Sequence, residues 1–241
     1  MLDSDPTPRP TAPPVVRRIL SFTGVFPLGV FLLAHLALNA RAPLGGEGAF
    51  ARSVLAVHRI PALAVFEWLL VVLPLLLHAA VGTWLVLTGR PLSGASPYPR
   101  PMHAAVRATG MVALAFLAMH LPELRFRVPA ARLGGHELAT VLVADLSSTW
   151  HGVPWRGVAY LVGTACVTFH FVTGVWGLVV TARQGMSAPV RRFSAWAAGM
   201  AGAAIWLLFA NIVVFHATGA RLLGGVEAHD DRTGPRCPAD P

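Results

Sequence analysis

Five long stretches of this chain are apolar almost without interruption, near residues 19–40, 62–88, 104–122, 157–182 and 194–216, and polar residues gather between them. Each reaches or approaches the ~20 residues with which a helix crosses the hydrocarbon core of a bilayer. The pattern predicts an all-α protein: one polytopic bundle of five transmembrane helices, occupying residues 17–218. Residues 1–16 are proline-rich and lack an apolar face, and 219–241 have the same character, so both ends are expected to be disordered tails. The first run is too long for the apolar core of a cleaved signal and is followed by further membrane segments, so it is expected to stay as a helix.

Composition agrees with a membrane protein. Of 241 residues, 55% are hydrophobic and 12% charged, about half the charge density of a soluble domain. The formal charge of +8 is carried by arginine alone, as the chain has no lysine. In a soluble protein that balance would point to nucleic acid. Here the arginines flank apolar runs, and the positive charge of cytoplasmic loops accounts for them with no nucleic-acid partner. With the N-terminus inside, Arg9, Arg17, Arg18, Arg90, Arg100, Arg107, Arg183, Arg191 and Arg192 fall on the inner side. The outer segments hold about as many arginines but most of the acids, over longer loops. The short inner connections, 89–103 and 183–193, therefore decide the expected topology: N-terminus inside, C-terminus outside, multi-pass in the cytoplasmic membrane.

Within this apolar background four histidines stand out: His35, His78, His120 and His170, one in each of the first four runs. An ionisable or metal-ligating side chain inside a bilayer is costly and is a functional candidate by default. One per helix in four successive helices suggests two pairs of axial ligands for two haems. Depth sorts the pairs. His35 lies 17 residues past Arg18 and His120 13 past Arg107, roughly 20–25 Å from the inner end at 1.5 Å per residue. His78 lies 12 residues before Arg90 and His170 13 before Arg183, roughly 18–20 Å from that end. Up-and-down bundles build cofactor sites from facing helices, so the expected pairs are His35 with His120 (outer haem) and His78 with His170 (inner haem). No C-x-x-C-H occurs, which excludes covalent haem attachment. Cys166 and Cys237 are too differently placed to form a disulfide.

Neighbouring residues fit the same picture. Gly82 and Gly174 each follow a histidine by four, on its helix face, where a porphyrin needs bare backbone. Gly24 and Thr109 each precede a histidine, His35 and His120, by eleven, and Gly110 follows Thr109. Glycines also let membrane helices approach closely whatever they bind. Glu67, eleven residues before His78, is expected near the level of the outer haem as a proton donor or acceptor for a quinone, or on a proton path. Pro74 should kink the second helix and free the Leu70 carbonyl. His58, His103 and His216 fall in loops or at helix ends, where an interfacial imidazole is the ordinary case. Most tryptophans sit at segment ends, as in an aromatic belt. The stretch "HELATVLVADLSS" is expected to form a short amphipathic helix over the outer haem.

The stretches "RRILSFTGVFPLGVFLLAHLALN", "FEWLLVVLPLLLHAAVG", "VRATGMVALAFLAMH" and "TFHFVTGVWGLVVT", in this order, resemble the cytochrome b membrane-anchor subunit of succinate:quinone oxidoreductases. The resemblance, from about Arg17 to His216, is to the five-helix, two-haem form found in succinate dehydrogenases and fumarate reductases. It implies that His35, His78, His120 and His170 ligate two b haems, with His78 and His170 on the inner one. It implies a flavoprotein subunit and an iron–sulfur subunit on the cytoplasmic face, and a membrane quinone, menaquinone in di-haem members, as electron partner. The chain itself would carry electrons and do no succinate chemistry. Arg18, Ser21, Arg107 and Thr109 resemble charged and hydroxyl positions near haem propionates or quinone. Leu20 stands where some members have a further histidine. Cytochrome b anchors of hydrogenases or formate dehydrogenases are an alternative, disfavoured because two of their ligands usually share a helix. A haem-free transporter is another, disfavoured because the helix similarities here are parallel and not inverted.

Overall fold

The computed structural model describes residues 10–94, 96–122, 135–183 and 185–223, and most of both expected tails lies outside them. Among the described residues the architecture is helical throughout, and five helical spans are long and apolar enough to cross a membrane: Pro14–Gly46, Leu63–Thr88, Arg100–Leu121, Trp155–Ala182 and Ala188–Thr218. Their outward faces are apolar as well. Leu87, Phe193, Trp196 and Met200 are all largely exposed, the condition of a helix whose other side is covered by lipid.

The first span is α1 (Pro14–Val25) followed by α2 (Pro27–Asn39). Proline lacks the N–H that would continue the ladder and its ring crowds the preceding turn, so the helix breaks at Phe26, whose ψ is −74°. Beyond it α3 (Arg41–His58) is interrupted at Gly46, where φ is +78°. Glycine takes that left-handed conformation without steric cost, and there the chain leaves the span.

The second span begins as α4 (Leu63–Glu67), passes through a π turn over Trp68–Val72, and continues as α5 (Leu73–Thr88). The expected disturbance at Pro74 takes this form. The Leu73 N–H reaches five residues back to the Trp68 carbonyl, and the widened turn accommodates a proline that can neither donate nor tolerate the usual carbonyl beneath its ring.

The remaining spans are α6 (Arg100–Leu121), α8 (Trp155–Ala182) and α9 (Ala188–Thr218), with α7 (Gly135–Ser147) between α6 and α8. Helix α8 is the most heavily packed, lying against α6 and α9 and also touching α1, while α5 packs on α1. The short helix expected in the long connection is α7. It rests on α3 and α9 through a cluster of Ala42, Phe50, Val54, Ala139 and Leu142. Together α3 and α7 cap the bundle at one end. The other end carries Arg17, Arg18, Arg90 and Arg107 and is called here the arginine end.

At the arginine end the connection 89–99 is tied down from three sides. The Ala12 N–H donates to the Pro91 carbonyl at 2.9 Å, Arg17 donates to the Ser93 carbonyl at 3.0 Å, and Arg107 donates to the Arg90 carbonyl at 2.9 Å. Residues 10–13, expected in the tail, are thus ordered against this connection.

Candidate functional site: a histidine-lined cavity

Between the helices lies a cavity of about 1800 Å³, open in part to the outside, that runs from the arginine end to the cap formed by α3 and α7. Pockets for one small molecule span roughly 300–1,000 Å³, so this volume suits more than one sizeable group. All four membrane histidines line it, and so do both of the tyrosines in the chain, Tyr98 and Tyr160.

The structure brings the histidines together in two pairs. His35 on α2 and His120 on α6 have ring centres 6.0 Å apart with planes at 85°. His78 on α5 and His170 on α8 have ring centres 6.1 Å apart with planes at 90°. Two of the rings are seated by a glycine of a neighbouring helix, and two stack on a phenylalanine one turn away on their own helix. The His78 ring lies against Gly24 of α1, where a Cβ would come within 2.8 Å of Cε1. The His170 ring lies against Gly110 of α6 at the same distance. His35 stacks on Phe31 at 5.4 Å, and His120 on Phe116 at 5.4 Å.

Hydrogen bonds orient three of the four rings through Nδ1. His170 Nδ1–H donates to the Val106 carbonyl at 3.0 Å. His78 Nδ1 is 3.1 Å from the Thr23 hydroxyl, which itself donates to the Ile19 carbonyl at 2.7 Å. Since that hydroxyl has directed its proton to Ile19, it accepts from His78. His120 Nδ1 is 3.2 Å from the Tyr160 hydroxyl. An Nδ1 that carries the ring proton leaves Nε2 as a free donor pair, the state of a metal-ligating histidine.

The glycines divide into two kinds. Gly82 and Gly174 have open space where a Cβ would be and border the cavity with bare backbone, as the spacing from their histidines predicts. Gly24 and Gly110 serve the opposite pair from the one their sequence spacing indicates: they seat His78 and His170, not His35 and His120. Spacing along one helix tells which residues share a face, whereas the partner across that face depends on the neighbouring helix.

Other predicted residues are placed as follows. Arg18, Ser21 and Arg107 line the cavity at the arginine end, with Arg17 beside them. Thr109 does not line it, and its hydroxyl donates to the Ala105 carbonyl of its own helix at 2.8 Å. Glu67, the last residue of α4, borders the cavity toward the capped end, as do His58 and Asn39. His216, expected at an interface, is 2% exposed and lies edge-on to Phe50 beneath the cap. Cys166 is a free thiol, and Cys237 lies outside the described residues.

Sequence reasoning passed over Thr23, Tyr98 and Tyr160. The tyrosines had scarcity as a signal, two in the chain and both on the cavity, whereas Thr23, one of many threonines, had none. Tyr98 closes the arginine end by donating to the Thr173 carbonyl at 2.7 Å. Its ring stands where Gly177 leaves room, since a Cβ there would collide with the phenol. Burial holds this phenol above its ordinary pKa of 10.0, against an opposing pull from the Arg17 guanidinium.

Over 166 residues, 68% of this chain and 78% of the relative, the sequence is 32% identical to the succinate dehydrogenase cytochrome b558 subunit of Bacillus subtilis (strain 168). No family model matches the chain, and no solved structure matches it.

Proposed function

The chain belongs to the family of succinate dehydrogenase cytochrome b subunits, and from that premise we propose that it anchors a succinate:quinone oxidoreductase and carries electrons across two bis-histidine b haems. His78 and His170 hold the haem nearer the arginine end, and His35 and His120 hold the one nearer the cap. The single observation that carries this reading is the pair of ring separations, 6.0 and 6.1 Å, within one cavity. Two imidazoles facing one ion across metal–nitrogen bonds of about 2 Å have centres roughly 6 Å apart.

The donor set fits a porphyrin better than a bare ion. Among the described residues no group of three or more His, Cys, Asp or Glu converges, so an ion held by two histidines must bring its remaining ligands with it. Gly82 and Gly174 leave the cavity wall flat beside His78 and His170. Arg17, Arg18 and Arg107 supply positive charge at the arginine end for the porphyrin carboxylates. When bound, haem supplies a one-electron ferric–ferrous couple. The chain's own part is to hold the imidazoles in one tautomer, to exclude water behind apolar walls, and to keep the local dielectric low.

The arginine end is the cytoplasmic face in this reading, where the iron–sulfur subunit and its flavoprotein partner dock. Glu67 holds or moves the proton that accompanies reduction of a quinone, menaquinone in the di-haem members of the family. The test is a reduced-minus-oxidised optical spectrum with a haem assay on protein purified in mild detergent. Two low-spin haems b per chain are expected, falling to one in both His120→Ala and His170→Ala. A folded protein without haem overturns the proposal.

A further inference from the structure

Resting on the bis-histidine reading above, we propose that Thr23 and Tyr160 are positioning residues that tune the two haems separately, each through the Nδ1 of one ligand. Thr23 lies behind His78, and Tyr160 lies beside His120, so the two hydroxyls act on different pairs. Both residues are buried, at 6% and 8% exposure, so water does not substitute readily for either.

A ring bound through Nε2 carries its proton on Nδ1, so each imidazole donates and each hydroxyl oxygen accepts. Thr23 is already oriented to accept, because its own proton is directed to the Ile19 carbonyl. Donation from Nδ1 fixes the rotation of the ring and makes it a stronger electron donor to the metal. A stronger donor favours the ferric state and lowers the reduction potential. The other tethers, from His170 to the Val106 carbonyl and from His78 to the Leu20 backbone, are made by backbone and do not change with a side-chain substitution. Thr23 and Tyr160 are thus the adjustable elements, one for each pair.

Each pair is also isolated from the other's hydroxyl by the fold. Thr23 belongs to α1 and contacts a ligand on α5, whereas Tyr160 belongs to α8 and contacts a ligand on α6. Removing one hydroxyl leaves the opposite pair with its own seat intact.

The experiment is a potentiometric titration, followed optically and by electron paramagnetic resonance, of the haem-loaded protein in its membrane with its partner subunits. The variants are Thr23→Val and Tyr160→Phe, with Thr23→Ser as the control that keeps the hydroxyl. The two components are assigned from the one lost in His120→Ala and the one lost in His170→Ala. Tyr160→Phe should raise the potential of the His35/His120 component alone, and Thr23→Val that of the His78/His170 component alone. A tenfold change in the ferric–ferrous equilibrium corresponds to about 59 mV. Thr23→Ser should keep the parent potentials. Two haems present with potentials unmoved, or both moved equally by either variant, overturns this inference and leaves the bis-histidine reading standing. Absence of haem from the parent protein overturns both.

Discussion

Replacing Gly163 with alanine tests the packing that positions the His120 end of the cavity. Gly163 is buried on α8, and a Cβ built there would press into the Phe116 ring and come within 2.9 Å of the Phe116 Cβ. Ordinary van der Waals contact begins near 3.4 Å. Rotating the ring cannot clear its own Cβ, so α6 and α8 must move apart or shift locally. Overpacking of this kind costs about 1–3 kcal/mol. A cost of about 2 kcal/mol corresponds to a fall in Tm of roughly 4–8 °C for a chain this long. Phe116 also stacks on His120 and lies edge-on to Tyr160, 5.2 Å between ring centres, so displacement reaches the histidine pair. The assay is thermal unfolding of the detergent-purified protein, read beside its optical spectrum. With both proteins free of haem, Gly174→Ala, on the same helix, serves as the comparison because nothing of the protein lies within 4 Å of its Cβ position. A Gly163→Ala protein whose Tm stays within about one degree of the parent's would refute the reasoning.

Gly174→Ala itself should leave the stability of the haem-free protein unchanged while lowering haem content, because its methyl group meets only the cavity's occupant; equal loading in parent and variant would sink that account. Gly110→Ala should displace the His170 ring, whose Cε1 lies 2.8 Å from the added carbon, and remove the His78/His170 haem while keeping the other. Loss of both haems together, or of neither, would contradict it. For Tyr98 the expected effect is alkaline. Its raised pKa means the folded state favours the protonated phenol, so the stabilisation is complete below the ordinary pKa of 10.0 and is lost as pH rises through the raised value. Tyr98→Phe should remove that component from the alkaline decline of thermal stability, and an unaltered pH profile would count against it.

The spans were legible because membrane crossing demands length and apolarity, which sequence displays directly. Their helices run longer than the apolar runs, as at Arg100–His103 and Ala188–Phe193, because a helix continues past the hydrocarbon once its ladder is formed. The four histidines were legible as isolated polar groups, and counting residues from the arginines places His35 level with His120 and His78 level with His170. What stayed hidden depends on rotation of one helix against another. Thr23 reads as an ordinary helical threonine until α5 is laid against α1. His216 reads as interfacial until α3 and α7 fold over it. Thr109 shares a helix with cavity residues such as Arg107 and His120 yet faces elsewhere. The wide turn at Trp68–Val72 was foreshadowed by Pro74, but whether a proline produces a kink or a π turn depends on the packing around it.

Among the contacts by which helices α6 and α8 meet at the site are one at each histidine pair: His120 with Tyr160, and Gly110 with His170. Both intervals, 110 to 120 and 160 to 170, are ten residues, or about 15 Å along a helix axis. Because α6 and α8 run in opposite directions, each lends the other a seat at one depth and takes one at the next. Deleting one residue within either interval turns the far half by about 100° and shortens it by about 1.5 Å, so it would break the register at one contact whenever the other was kept. The distance between the two histidine pairs is therefore held as a shared length, one that evolution can alter only by changing both helices at once.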